Sequence, residues 1–229
     1  MPARPRAAWC VGAGRLLAVL GMALLMGLAA APSRAWDPGQ VRQAAQRLGP
    51  GAVASVGPLL ALMAEARAQD ELSRLVLVNR FFNNTVQFRA DPEIWGQDDY
   101  WASPLQTLAM GRGDCEDFVI AKYAVLLATE VPLERMRLVY VRARLPDQGA
   151  PVAHMVLAYY PAPGAEPLIL DNLRPEVLPA SQRPDLAPVF SFNSAGLWQG
   201  VAGPSAGDPM ARLSRWRDVW QRTRQEGFP

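Results

Sequence analysis

The sequence predicts an α+β domain in which helices come first and an antiparallel sheet follows. Apolar residues recur at helical spacing through the first half of the chain. From residue 136 onwards they occur in short, β-rich runs separated by turn residues. The 229 residues contain no internal repeat, and this length suits one domain with a sizeable core.

Residues 1–35 have the pattern of a secretory signal and are not part of that domain. Three arginines and no acidic residue precede an apolar run over 16–31, and Ser33 and Ala35 are small residues placed for cleavage after position 35. The run is short for a membrane span, which needs about 20 residues. We therefore expect a signal peptide over 1–35 and a single domain over 36–229. An uncleaved N-terminal anchor is the alternative.

Cleavage after Ala35 changes both the charge and the cysteine content. It removes four of the 23 basic residues and none of the 21 acidic ones, so the formal charge falls from +2 to −2. The remaining chain has no basic excess that would indicate a nucleic-acid partner. Cys10 is removed as well, which leaves one cysteine, Cys115, and one histidine, His154. A lone thiol in an oxidising compartment is a liability unless the protein uses it.

Three helical segments are predicted before residue 114. They span residues 39–49, 59–82 and 104–110. A Gly-Pro-Gly turn at 49–51 ends the first, an Asn pair at 83–84 ends the second, and a Ser-Pro step at 103–104 begins the third. Between the last two lies an aromatic and turn-rich segment. Its Trp95 and Trp101 either line a cleft or pack, and we expect at least one of them to pack.

The stretch GDCEDFVIAKYAVLL, residues 113–127, predicts a buried helix that begins beside Cys115. Asp114 can cap this helix, with Asp117 at the third helical position in the manner of a capping box. The first turn of a helix favours a thiolate, because backbone N–H groups and the helix dipole are positive there. The negative charges of Asp114, Glu116 and Asp117 oppose a thiolate. Either the cysteine is inert, or something offsets these acids.

Four strand-like runs follow and complete the predicted sheet. They span residues 136–145, 153–161, 167–171 and 189–193. After them, Asp208 and Pro209 begin an amphipathic helix near the end of the chain. Its Trp216 and Trp220 are four residues apart on one face, a spacing more typical of packing than of binding.

Cys115, His154 and Asp171 together offer the three groups of nucleophilic catalysis. His154 lies near the start of one predicted strand and Asp171 ends the next, so neighbouring antiparallel strands can set the carboxylate beside the imidazole. The expected roles are a thiolate, a base, and a group that orients the base. The alternatives are a histidine satisfied in the core and an ordinary Asp-Asn turn.

The motifs GDCEDFVIAKYAVLL, AHMVLAYY, PLILDNL and PASQRPDLAPVFSFN resemble those of the bacterial transglutaminase-like cysteine proteinases, over residues 70–200. The resemblance implies a papain-like transglutaminase core, in which a cysteine at a helix N-terminus packs against an antiparallel sheet that carries histidine and aspartate. By the same motifs, the family nucleophile falls on Cys115, the base on His154 and the orienting carboxylate on Asp171.

The resemblance also implies calcium dependence, with Asp114, Glu116 and Asp117 as the metal ligands. The chemistry of these residues agrees with it, because carboxylate oxygens suit a hard cation such as Ca²⁺. A bound dication would cancel the charges that oppose the thiolate and would fix the start of the helix. The alternative is that the acids only cap the helix and complement its dipole.

The function that the resemblance implies is that of a calcium-dependent periplasmic cysteine endopeptidase. Its substrate would be the N-terminal region of a large surface adhesin, cut at a pair of alanines, so that the adhesin is released and the biofilm disperses. The implied regulatory partner is the periplasmic domain of an inner-membrane, LapD-like receptor for cyclic di-GMP. The alternatives are acyl transfer to an amine, as in a transglutaminase, and a non-catalytic calcium-modulated binding protein.

Overall fold

Eight α-helices lie in the part of the chain that the computed structural model describes, residues 36–229. They are α1 (Pro38–Leu48), α2 (Pro50–Arg67), α3 (Glu71–Thr85), α4 (Asp91–Trp95), α5 (Pro104–Met110), α6 (Cys115–Ala128), α7 (Pro209–Arg212) and α8 (Ser214–Gln225). The signal peptide predicted for residues 1–35 lies outside the described residues. Within 36–229, no helix combines the length and the apolar character needed to cross a membrane.

The helical prediction is confirmed in type but not in all of its boundaries. The segment predicted over 59–82 is two helices, α2 and α3, and α2 already begins at Pro50. The break has a physical cause at Asp70, whose carboxylate accepts a hydrogen bond from the Ser73 N–H at 3.0 Å and so caps α3. The C-terminal helix is also interrupted, at Leu213 between α7 and α8, where the backbone is extended and no side chain caps the second helix.

The strands form one short parallel pair and one larger antiparallel sheet. They are β1 (Gln87–Phe88), β2 (Arg112–Gly113), β3 (Met136–Ala143), β4 (Val152–Tyr159), β5 (Leu168–Leu170), β6 (Leu178–Pro179), β7 (Leu186–Phe192) and β8 (Leu197–Gln199). β1 pairs with β2, and the other six are ordered β6-β5-β4-β3-β7-β8 with every neighbour antiparallel. The predicted α+β class, with helices ahead of an antiparallel sheet, is confirmed.

The central strands are apolar on both faces. Leu138 and Leu157 belong to the main core shared with the helices, whereas Val156 belongs to a second cluster with partly buried Leu186 and Val201. This alternation follows from the two-residue period of a strand. The sheet therefore separates a helical layer from a thinner layer of loops.

α6 runs through the centre of the main core. It is apolar around its circumference, and every side chain from Asp117 to Leu126 is buried. α3 and α5 pack on it from one side, and β3 and β4 pack on it from the other. A helix of this composition is stable when it is enclosed in this way. The packing of the whole helix therefore fixes the position of its first residue, Cys115.

Two tryptophans join α8 to α6. The rings of Trp216 and Trp220 stack with centroids 4.8 Å apart, and the Tyr123 ring of α6 lies 5.7 Å and 5.2 Å from them. The expectation that these tryptophans pack is confirmed. Trp101 packs as well, because it is buried with its ring stacked 6.1 Å from that of Phe192.

Glu226 is a buried carboxyl that ties the end of the chain to α5. It accepts hydrogen bonds from the Ser103 hydroxyl and from the Leu105 N–H. Burial raises the pKa of Glu226 to about 7, and these hydrogen bonds oppose the rise only in part. Over part of the pH range, the folded protein therefore keeps a proton that the unfolded chain has lost.

We expect Glu226 to make the protein less stable as the pH rises from 4.5 to about 7. In that window the folded chain binds one more proton than the unfolded chain, so the free energy of unfolding falls by about 1–3 kcal/mol. Glu226→Gln should remove most of this slope, whereas Glu65→Gln, at an exposed position, should keep it. Urea unfolding at about pH 5 and about pH 8 measures the difference. A Glu226→Gln protein with an unaltered slope would contradict the assignment.

Candidate active site

The position of Cys115 depends on a tight turn between β2 and α6. Asp114 is the N-cap of the helix, and Gly113 ends β2. A Cβ atom at Gly113 would lie 2.8 Å from the Asp117 Cβ, so only glycine fits there. The β1–β2 pair holds the turn from outside, with the Arg89 N–H donating to the Gly113 carbonyl at 3.0 Å. The cysteine thus lies at a helix N-terminus, as predicted.

The Cys115 sulphur lies between an acid and a strand of the sheet. Its Sγ donates to Glu116 Oε2 at 2.6 Å, and the backbone N–H of Met155 in β4 lies near enough to lower the pKa of the thiol. Burial raises the pKa of the Cys115 thiol, Glu116 and Asp114 raise it further, and the Met155 N–H acts in the opposite direction. In this arrangement the sulphur keeps its proton. A base and a counter-charge are both needed to form a thiolate.

His154 and Asp171 form a buried hydrogen-bonded pair. His154 Nε2 lies 2.8 Å from Asp171 Oδ1, and the exposed fractions of the two side chains are 6% and 0%. Burial alone would raise the pKa of Asp171, but hydrogen bonds from His154, the Leu173 N–H and Arg183 bring it down to about 2. The charged carboxylate therefore accepts from Nε2–H, which leaves Nδ1 as the basic atom of the ring.

The sulphur reaches the strand that carries the imidazole. α6 packs on β4, and the sulphur lies beside the peptide bond that joins His154 to Met155. Asp171 directly follows β5, whose Leu170 pairs with Leu157 of β4. Of the three predicted residues, His154 and Asp171 are thus joined by a hydrogen bond, and Cys115 begins the helix that packs on the strand carrying His154, while their roles in catalysis stay a prediction.

Two asparagines of α3 fix the loop that follows Asp171. The Asn83 side-chain amide donates to the carbonyls of Asp171 at 2.8 Å and of Arg174 at 3.1 Å, and that of Asn79 donates to the Pro175 carbonyl at 3.1 Å. From the sequence, Asn83 was predicted to end a helix. The helix continues past it, and the side chain supports the orienting carboxylate instead.

Three carboxylates converge near the cysteine: Asp91, Asp114 and Asp117. One oxygen of each lies within 4.8 Å of the others. Asp91 Oδ1, Asp114 Oδ1 and Asp117 Oδ2 are buried, and none has a hydrogen-bond partner among the described residues. Burial, reinforced by the neighbouring acids, raises the pKa of Asp114 to about 9, and burial also raises the pKa of Asp91 and of Asp117. Buried carboxylate oxygens without donors fit a hard cation such as calcium.

This cluster differs from the predicted ligand set. Asp91 begins α4, a five-residue helix that was not predicted from the sequence. The Glu116 carboxylate groups with Asp114 and the thiol rather than with Asp91, so its role as a ligand stays a prediction.

The predicted capping box is only partly formed. Asp114 is the N-cap of α6, as predicted, but its carboxylate makes no capping hydrogen bond, and Asp117 Oδ1 accepts from the Ala102 N–H at 2.7 Å. Each carboxylate lies near the backbone N–H of the other residue, which opposes the effect of burial on its pKa. Capping still leaves Asp114 Oδ1 and Asp117 Oδ2 without a hydrogen-bond partner among the described residues.

Two buried basic side chains beside Asp171 were also missed. Arg183 donates to Asp171 Oδ2 at 2.7 Å. Lys122 is fully buried two turns after Cys115, and its Nζ has no hydrogen-bond partner among the described residues. Burial lowers the pKa of Lys122 to about 7, against the opposing charge of Asp171. The sequence did contain a sign that these two residues belong to the site, because each is a basic residue within a motif that carries the family resemblance.

Comparison with known proteins decides the family. The family model of the bacterial transglutaminase-like cysteine proteinases matches residues 61–187, more than half of the chain. The chain belongs to this family. The match confirms the resemblance drawn from the motifs, and it makes the protein a member of a cysteine proteinase family with the expected transglutaminase-like class of fold. A search among curated proteins gives no match.

Three solved structures of LapG from Legionella pneumophila resemble this member of the family. One is 36% identical, with a TM-score of 0.69, over 82% of this chain and 98% of that chain. An EGTA-treated form is 36% identical with a TM-score of 0.72, over 82% and 98% of the two chains. A calcium-bound form is 37% identical with a TM-score of 0.70, over 81% and 98%. Calcium thus binds a similar protein, almost all of which aligns with this chain.

Proposed function

We propose that this protein is a calcium-dependent, LapG-type cysteine endopeptidase that acts through Cys115, His154 and Asp171. One observation carries the proposal. In a member of a cysteine proteinase family, His154 and Asp171 form a buried pair joined at 2.8 Å, and the strand that carries His154 packs on the helix that begins at Cys115. This arrangement supports Cys115 as the nucleophile, His154 as the base and Asp171 as the group that fixes the tautomer of the base.

In the proposed reaction, His154 Nδ1 acts first as a base and then as an acid in each of two steps, the formation and the hydrolysis of a thioester. Nδ1 takes the thiol proton as the Cys115 sulphur attacks the peptide carbonyl carbon, and the carbonyl electron pair moves onto oxygen. The C–N bond then breaks, the leaving amine takes the proton from Nδ1, and a thioester remains. Nδ1 next takes a proton from water as the water oxygen attacks the thioester carbon. The C–S bond then breaks, the carboxylic acid is released, and the proton passes from Nδ1 to the sulphur, which restores the thiol. The Cys115 N–H, at the helix N-terminus, is the donor that we expect to face the oxyanion.

Calcium would be held by Asp91, Asp114 and Asp117. The support is the three buried, unpartnered carboxylate oxygens, together with the calcium-bound form of the similar LapG. When bound, the cation supplies positive charge that offsets the acids around the thiol and makes a thiolate accessible. Glu116 then remains the acid in direct contact with sulphur, and Cys115 needs both the counter-charge and the His154 base.

The substrate, partner and compartment of the proposed function come from the resemblance. We infer cleavage of the N-terminal region of a large surface adhesin at a di-alanine site, which releases the adhesin and disperses the biofilm. A LapD-like cyclic di-GMP receptor of the inner membrane would bind the protease through its periplasmic domain. The predicted signal over residues 1–35 supports a location in the periplasm.

The test is to incubate the purified protein, with calcium, with the N-terminal fragment of a large adhesin that contains a di-alanine site, and to weigh the products. We expect two shorter peptides whose masses sum to that of the substrate plus one water. A species cross-linked to, or tagged by, an added amine would instead indicate acyl transfer. An intact substrate bound to the protein would indicate a non-catalytic binding protein, and either result would overturn the proposed hydrolysis.

A further inference from the structure

Arg183 is buried at the side of Asp171 that faces away from the imidazole. Its side chain is 2% exposed, although a charged residue is rarely buried unless it is paired. One terminal nitrogen donates to Asp171 Oδ2 and to Asp185 Oδ2, at 2.7 Å each, and its Nε donates to Asp185 Oδ1 at 3.0 Å. The guanidinium thus bridges two carboxylates.

The two oxygens of Asp171 are fixed by different partners. Oδ1 accepts from His154 Nε2 at 2.8 Å and from the Leu173 N–H at 3.1 Å. Oδ2 accepts from Arg183. Without Arg183, a buried oxygen would lose its donor, and the carboxylate could rotate to recover one at the expense of the bond to His154. Arg183 therefore blocks the rotation that would release the imidazole.

Charge alone does not account for Arg183, because a second basic side chain lies near the same carboxylate. Lys122 approaches Asp171 from α6, and it makes no hydrogen bond to it. Arg183 differs from Lys122 because its hydrogen bonds have a fixed direction. Asp185 fixes the orientation of the planar guanidinium, and the guanidinium in turn fixes the orientation of the Asp171 carboxylate. A lysine ammonium can rotate and does this less well.

We propose that Arg183, held by Asp185, is a positioning residue that locks Asp171 so that His154 keeps its proton on Nε2 and its basic Nδ1 free. The proposal rests on the proposed function and deepens it. It assigns to the PASQRPD motif a role in orienting the base, which Arg183 and Asp185 exert through Asp171.

The experiment reads the tautomer directly, because His154 is the only histidine of the chain. The full chain is labelled with ¹⁵N-histidine and purified without a histidine tag, and the two ring nitrogens are followed by long-range ¹H–¹⁵N correlation in calcium. The variants are Arg183→Met, Arg183→Lys and Asp185→Asn. Arg135→Met is the matched control, because Arg135 also bridges to a carboxylate, Glu71, at 2.8 Å in another part of the fold.

For the unaltered protein we expect a single neutral tautomer with the proton on Nε2. Arg183→Met should give a mixture of tautomers and lower kcat/KM about 10–100-fold, mainly through kcat, since base orientation and not substrate binding is lost. Arg183→Lys should give a tautomer mixture and a kcat/KM between those of the unaltered protein and of Arg183→Met. Asp185→Asn should change the tautomer mixture and kcat/KM in the same direction but by less, and Arg135→Met should change neither.

A single Nε2–H tautomer in folded Arg183→Met would overturn the proposal, whatever its activity. If circular dichroism shows that Arg183→Met does not fold, Asp185→Asn decides, and an unchanged tautomer there would overturn the proposal as well. The failure of the proposed function is a separate result. An unaltered protein that cleaves no adhesin fragment removes the peptidase, while the tautomer measurement still tests Arg183.

Discussion

Replacement of Cys115 by alanine is expected to abolish cleavage of the adhesin fragment while it leaves the fold and calcium binding in place. The sulphur is the only thiol within residues 36–229, so no other cysteine can replace it. The loss should be at least about 10³-fold in kcat/KM, because removal of the nucleophile removes the covalent path and leaves only substrate binding. A quantitative mass assay of the two products measures the change.

The small side chain of Cys115→Ala should cost little stability, since the residue is only partly buried at a helix end. Met110→Ala, which removes an exposed sulphur just before β2, is the control and should cleave at the normal rate. Iodoacetamide should inactivate the unaltered protein and label it once. Cleavage by Cys115→Ala at more than a few per cent of the normal rate would exclude this thiol as the nucleophile and would remove the basis of the proposed function.

Removal of calcium by EGTA is expected to abolish cleavage, and added calcium should restore it. Without the cation, the buried carboxylates around the thiol repel one another and oppose the thiolate. Asp117→Asn, which keeps the shape of the side chain, should raise the calcium concentration needed for half-maximal activity by about 10–100-fold. The exposed Asp98→Asn is the control from the same region of the chain and should respond to calcium normally.

Thermal unfolding of Cys115→Ala separates metal binding from catalysis. A cation that binds only the folded state at 100 times its Kd stabilises it by about 2.7 kcal/mol, so the melting temperature should rise with calcium in this inactive protein. Adding Asp91→Asn should remove much of that rise, and adding Glu116→Gln should remove less, because Asp91 shares the cluster with Asp114 and Asp117. The reverse order would restore the ligand set predicted from the sequence. Full activity in EGTA would exclude a calcium requirement.

The triad positions were predictable because the sequence leaves few choices. One cysteine at a capped helix start and one histidine at a strand start, with an aspartate at the next strand end, can meet in an α+β fold of this order. The β-rich runs also predicted the four main strands. These features depend only on local sequence or on the order of helices and strands along the chain, and the spacing of apolar residues predicts that order well.

The metal cluster and the support of the triad were less predictable, because they depend on contacts between distant segments. Asp91 enters the cluster from a five-residue helix, which is too short to leave a periodic signal. Asn83 was predicted only as the end of a helix, and Arg183 was given no role, because their contacts with Asp171 come from segments distant in the sequence. The break at Asp70 was missed because the helical spacing of apolar residues continues from α2 into α3, and only the capping side chain of Asp70 marks the start of a new helix.

The convergence of Asp91 with Asp114 and Asp117 has a consequence for the chain between them. A cation held there would connect both ends of residues 91–114 in the folded protein, and it would stabilise the folded state because the unfolded chain does not hold the three carboxylates together. A single cysteine within residues 36–229 cannot form a disulfide within that part of the chain. Amides within residues 91–114 should accordingly exchange with deuterium faster in chelator than in calcium, with the metal serving as a reversible cross-link that requires no oxidation.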